Sequence, residues 1–144
     1  MLENTLYKGY KYIFIKIKMR DESEKDLPAT AEFTIPRESM CQKVEVQENQ
    51  VFNILLGANS SAQVHWILKN PGKFNPDKLK PLNVRENGSG GYKSTSKLPG
   101  SPGYDIFKFK AGKSAFFATT LTFVCSRDDG RLVSHTHVKV KISK

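Results

Sequence analysis

What most constrains this chain is a strict alternation of apolar and charged residues over short stretches. Ile15-Lys16-Ile17-Lys18, Phe107-Lys108-Phe109-Lys110 and Val138-Lys139-Val140-Lys141-Ile142 each repeat every second residue. That is the period of a β-strand with one face in a core and the other in solvent. No amphipathic period of 3.6 persists for ten residues, so the expected class is all-β. Strands are expected over residues 12–19, 32–35, 43–46, 51–56 (ended by Gly57), 64–68, 104–110, 115–124 and 132–142. Residues 20–28 read as a linker and 126–131 as a turn. Between Pro71 and Gly103 the chain is dense in Pro, Gly, Asn, Ser and Lys. There 82–84 is the only expected strand, and Glu86-Asn87-Gly88-Ser89-Gly90-Gly91 is expected to be a mobile loop. Seven or eight strands at this spacing suggest a sandwich or a barrel.

Length and composition exclude several classes. A chain of 144 residues supports one domain with a real core. Two cysteines are too few for a disulfide-stapled miniprotein. One Trp, five Tyr and nine Phe supply apolar area that a disordered chain lacks. No apolar run approaches a bilayer span. Tyr12-Ile13-Phe14-Ile15 is cut by Lys16 and Lys18 and has no small-residue cleavage site, so it does not read as a signal peptide. The expectation is a cytosolic protein or a processed piece without its targeting segment, the latter secreted, vesicular or lysosomal. Cys41 and Cys125 pair only if the fold brings their Cα atoms within about 7 Å. Otherwise they read as small buried hydrophobes.

A net charge of +9 raises nucleic acid as a partner. The lysines, however, alternate with core residues and so fall on solvent faces, where they also oppose edge-to-edge aggregation. A strand-tracking surface wants Arg and exposed aromatics interleaved. The chain has five scattered Arg, and neither nucleic acid nor membrane is expected as partner.

Motifs with chemistry are few. Gly88-Ser89-Gly90-Gly91-Tyr92-Lys93-Ser94-Thr95 and Gly112-Lys113-Ser114 echo a phosphate loop but lack its spacing and a following helix. His135 and His137 share a strand face, yet two ligands beside Lys139 and Lys141 make a poor metal site. Cys125 and His135 flank a turn, but nothing supplies an orienting third group or an oxyanion hole. The acidic residues cluster in linkers and turns. No catalytic residue, metal or cofactor is expected, and the chain is not read as an enzyme. Asn59-Ser60-Ser61 and Asn87-Gly88-Ser89 match the glycosylation acceptor pattern.

Three segments between strong strands stand out. Leu55-Leu56 leads into Asn59-Ser60-Ser61-Ala62-Gln63, with Trp66 shortly after. Gly100-Ser101-Pro102-Gly103 precedes Tyr104 and Phe107. Cys125-Ser126-Arg127 follows Leu121-Thr122-Phe123, with Arg131 across the turn. In order and flanks this resembles the chagasin-type inhibitors of papain-like cysteine proteases, the elaborated protozoan parasite members more than the compact bacterial ones. The resemblance spans residues 32–142. The Asn, one hydroxyl and the Trp of the family's first loop are present. Pro102 interrupts its second, glycine-rich loop, and the aromatic of its third is missing.

The resemblance implies an immunoglobulin-like sandwich of about eight strands, with Trp66, Leu121 and Phe123 as framework. It implies reversible, competitive inhibition, three loops at one end occluding the cleft of a host or endogenous papain-like protease in a 1:1 complex with a monomer. Protease-binding residues would be Asn59 to Gln63, Gly100, Ser101, Pro102, Gly103, Tyr104, Cys125, Ser126, Arg127 and Arg131. Residues 1–30 then form an extension with an extra strand, and 31–144 an inhibitor domain with an insertion around 71–99. Such a domain also fits the C-terminal inhibitory part of a larger parasite protein. The alternative is an immunoglobulin-like adhesion or scaffold module that binds another protein through the same loops.

Overall fold

A computed structural model describes residues 24–36, 39–58, 64–96, 98 and 102–144. Nine strands lie within them: β1 (Ala31–Ile35), β2 (Cys41–Gln47), β3 (Val51–Ala58), β4 (Val64–Leu68), β5 (Leu79–Pro81), β6 (Gly91–Ser94), β7 (Gly103–Ala111), β8 (Thr119–Arg127) and β9 (Leu132–Ser143). The expected strand at 12–19 lies outside the described residues.

Two sheets face one another. One runs β1-β3-β7-β5, with β6 also on β7, and the other β2-β9-β8-β4. Most neighbours are antiparallel, but β1 lies parallel to β3 and β2 parallel to β9. The alternation seen in the sequence sets the inward faces. On β7 the odd residues from Gly103 to Ala111 are buried, and on β9 Val138, Val140 and Ile142 are. Phe107 meets Phe123 across the sandwich at 4.8 Å between ring centroids, and Phe52 stacks on Phe109 at 5.7 Å. All four are wholly buried, so the apolar residues of the period-two pattern are the core.

The lysines of the alternation on β7 and β9 point outward as expected, yet several are engaged. Lys108 donates to the Leu27 carbonyl at 2.8 Å, and Lys110 and Lys80 donate to Glu24. The segment 24–30 is thereby strapped over the outer face of β5 and β7.

The region from Pro71 to Gly103 differs most from expectation. Residues 82–84 are not a strand; β5 and β6 flank them and pair with opposite halves of β7. Where the chain passes from β5 to β6, the Asn83 side chain replaces the ladder, donating to the Ile106 carbonyl at 2.9 Å and accepting from Lys108 N–H at 2.8 Å. A side-chain amide carries the same donor and acceptor as a peptide group, so backbone pairing is not needed there. Within the segment expected to be a loop, residues 85–88 form a tight turn hydrogen-bonded to β4. Leu68 N–H donates to the Gly88 carbonyl at 2.7 Å, and Gly88 has φ +91°, with the Leu68 carbonyl where a Cβ would stand. Two further boundaries shift. β3 continues through Gly57 to Ala58, and β8 begins at Thr119 and runs to Arg127.

Candidate functional site

The three connections singled out in the sequence leave the sandwich at one pole, and strand register brings them together. Ala58, the last residue of β3, pairs with Gly103, the first of β7; Val64, the first of β4, pairs with Arg127, the last of β8. The stems of the 59–63, 95–102 and 128–131 connections are therefore neighbours by hydrogen-bonded pairing. Asn59, Ser60, Ser61, Ala62, Gln63, Gly100 and Ser101 lie outside the described residues.

Beneath these stems is a buried polar clamp. The Trp66 indole N–H donates to the Gly57 carbonyl at 2.8 Å, and the Trp66 backbone N–H donates to Asp105 Oδ2 at 2.7 Å. Asp105 Oδ1 faces His65 Nδ1 at 3.4 Å, and the His65 ring meets Tyr92 edge-to-face at 5.9 Å. One tryptophan thus ties β4 to both β3 and β7. Asp105 is 5% exposed, and this burial pushes its pKa up against the opposing pull of the Trp66 N–H and His65. Asp105 is an exception to the reading that acids sit in linkers and turns. It shares the inward parity of Phe107 and Phe109, the one signal in the sequence that could have found it.

The second connection is closed by Thr95, whose N–H and hydroxyl both donate to the Pro102 carbonyl at 3.0 and 2.7 Å. Gly103 is required by close approach: a Cβ there would strike the Lys93 carbonyl and the Tyr92 hydroxyl. Tyr104, half-buried and outward, lines a hollow of about 360 Å³ with Pro102, Ala58 and Ile35.

The third connection is shorter than expected because β8 includes Cys125, Ser126 and Arg127. Cys125 is 3% exposed and pairs with Trp66, so its side chain belongs to the core beside Leu121 and Phe123 rather than to the loop surface. Val124, not Cys125, stands opposite His135, which puts thiol and imidazole on opposite faces of the sheet. Cys41 is exposed on β2, contrary to the expectation of a buried hydrophobe, and it is not bonded to Cys125. The hairpin turns through Gly130 at φ +89°, with Arg127 N–H donating to the Arg131 carbonyl at 2.9 Å. Arg127 and Arg131 are both exposed at its tip, and Arg131 approaches Asp129 at 3.8 Å. Directly after the turn, Leu132 and Val133 are 67% and 52% exposed. The sequence reading assigned them to a strand and missed them as surface. Among the described residues no three His, Cys, Asp or Glu side chains are grouped to hold a metal ion.

No protein-family model matches the sequence, and neither does any curated protein. Solved structures do resemble it in shape. The cysteine protease inhibitor EhICP2 from Entamoeba histolytica superposes with a TM-score of 0.52 over 81% of this chain and 100% of that one, at 16% identity. The chain has the chagasin-type fold. PbICP-C, in a structure with falcipain-2, scores 0.48 at 14% identity over 78% of this chain and 99% of that one. Amebosin scores 0.49 at 12% identity over 81% and 100%. In this chagasin-type sandwich the three connections at the clamped pole are β3–β4, β6–β7 and β8–β9.

Proposed function

We propose that this protein is a reversible, competitive inhibitor of papain-like cysteine peptidases, occluding the active-site cleft with its three clustered connections. One observation carries the reading: the pairings Ala58 with Gly103 and Val64 with Arg127 hold all three stems side by side at one pole. The inhibitor named for the fold neighbour from Entamoeba supports it.

The chemistry of the pole suits a blocking role. Stems fixed by strand pairing and by the Trp66–Asp105 clamp are ordered before binding, which lowers the entropy cost of an interface. The sequence of the first connection includes the small residues Ser60, Ser61 and Ala62, and small side chains let a backbone enter a narrow cleft. Arg127 and Arg131 offer rim charges that act mainly on encounter. Leu132 and Val133 supply an apolar contact beside the third connection, where the aromatic of the family pattern is missing.

Titrating the protein against papain with a fluorogenic peptide tests the proposal. Stoichiometric loss of activity is expected, and replacing 59–63 by a Gly-Ser linker, or Ser61→Arg, is expected to abolish or strongly weaken it. Full peptidase activity at micromolar protein overturns the reading. Binding of some other protein that is lost in the linker variant, with papain left fully active by the wild type, would favour an adhesion or scaffold module.

A further inference from the structure

The pole opposite the clustered connections carries a second exposed feature. Between β7 and β8, Phe116 and Phe117 are 85% and 80% exposed, with their rings edge-to-face at 5.0 Å. Exposed aromatic pairs of this kind mark contact surfaces. The tip is built rather than loose. Lys141, outward on β9, donates to the carbonyls of Ala115 and Phe116, and its ammonium lies 5.6 Å from the Phe116 ring centroid.

From Lys141 the same outer face continues through positive charge. Lys139 is exposed two residues away and pairs with Thr120. Beyond it a hollow of about 340 Å³ is lined by Lys69, Lys73, Thr120, Thr122 and His137. Thr122 and His137 are joined at 3.0 Å, and among the described residues no acidic side chain lines the hollow. On this face Glu45 stands opposite Lys141 on β2, and Glu48 accepts the Ser114 N–H at the base of the tip; these are acidic groups set against the lysines. The aromatic tip and the basic hollow are therefore two ends of one surface.

We propose that this face docks peripherally on anionic phospholipid membranes, with the Phe116–Phe117 tip entering the interfacial layer and the lysines meeting headgroup phosphates. Charge complementarity favours an anionic surface, and aromatic rings at the edge of a polar face suit the boundary between headgroup and acyl chain. Nucleic acid fits less well, because the two rings pack on each other instead of standing free for bases, and among the described residues the face carries Lys and no Arg. No helix is long and apolar enough to cross a membrane among the described residues, and a peripheral contact needs none. The connections proposed to meet a peptidase leave from the other pole, so the two contacts are separable.

Co-sedimentation with phosphatidylcholine vesicles, with and without about one-third phosphatidylserine, tests this directly. Binding is expected only with phosphatidylserine and is expected to weaken in high salt. Phe116→Ser/Phe117→Ser is expected to lower the partition coefficient about tenfold, and Lys69→Glu/Lys73→Glu by a similar factor, with unchanged thermal unfolding. Absence of wild-type sedimentation overturns the proposal, as does equal sedimentation on uncharged vesicles. Undiminished binding by the Phe variant overturns it too, and so does displacement of the protein from vesicles by stoichiometric single-stranded RNA. Papain inhibition by the same variants is a separate readout, so either reading can fail alone.

Discussion

The two poles of this sandwich are held together by opposite means. At the pole of the clustered connections, order comes from strand pairing and a buried clamp, with Trp66 and Asp105 inside and small or charged residues outside. At the other pole, side chains reach to backbone and to one another across the surface. Glu24 takes Lys80 and Lys110, Glu48 accepts the Ser114 N–H at 2.7 Å, and Lys141 holds the Phe116 tip. Buried, fully satisfied polar groups fix geometry; exposed ion pairs contribute little stability and respond to the solvent. Rigidity is thus placed where the proposed inhibition calls for a preformed shape.

The hardest test of that contrast is Trp66→Ala. It removes a 6% exposed ring together with the only bond from an indole to Gly57 among the described residues. About 4 kcal/mol of stability is expected to be lost in urea denaturation. Trp66→Phe, which keeps ring packing and loses the hydrogen bond, is expected to cost about 1 kcal/mol. If the two variants are equally damaging, the ring's packing is not what holds the stems.

Next in size is a pair of glycines. Gly57 and Gly103 lie diagonally across the β3–β7 ladder, but a Cβ on Gly57 meets nothing within 4 Å, whereas one on Gly103 meets Lys93 and Tyr92. Gly103→Ala is expected to cost about 2 kcal/mol and to loosen β6. Gly57→Ala is expected to be neutral or slightly stabilising. Amide hydrogen exchange across 91–94 reads the difference.

Much of this architecture is legible in the sequence, because period-two alternation with bulky core residues fixes inward and outward faces without tertiary information. The strand Val64–Leu68 is predicted to the residue, and the parity of β7, and of β9 from Thr136 onward, is correct. What is not legible depends on bonds and close approaches that pair residues far apart in the chain. Asn83 bridging β7, Gly88 under Leu68 and Asp105 under Trp66 each need a partner distant in sequence. The pattern therefore places a strand at 82–84 where the chain instead runs between β5 and β6. Cys125 was misplaced for a simpler reason: a β-strand that runs three residues further converts a loop tip into core.

Acidification should separate the poles. Hydrogen bonds from Lys80 and then Lys110 hold the Glu24 pKa below its ordinary value, and the Ser114 N–H does the same for Glu48. Their stabilising contribution is present above the ordinary glutamate value and is lost as pH falls through the folded one. Asp105 is raised by burial, so its contribution is full below the ordinary aspartate value and declines as pH rises through the folded one. Between pH 5 and pH 3, roughly the carboxylate range, hydrogen exchange is expected to quicken at Ser114 and Leu27 while the Trp66 amide stays protected. Glu24→Gln is expected to reproduce the strap's loosening at neutral pH, at about 1 kcal/mol. Equal loosening at both poles would mean that the clamp also depends on an ionised carboxylate.

The smallest effects lie at the rim of the clustered connections, where the proposed inhibition can be dissected kinetically. Leu132 is exposed beside the hairpin, so Leu132→Ser removes apolar area from a contact and is expected to raise the off-rate of a peptidase complex, by about 1 kcal/mol in affinity. Arg127 sits at the tip without an ion pair to an acidic side chain among the described residues. Arg127→Ala should therefore leave the off-rate nearly unchanged and lower the on-rate a few-fold at low salt. That difference should vanish as salt screens the charge. An off-rate change as large as that of Leu132→Ser would place Arg127 inside the interface, and would mean that the third connection enters the cleft by charge rather than by an apolar edge.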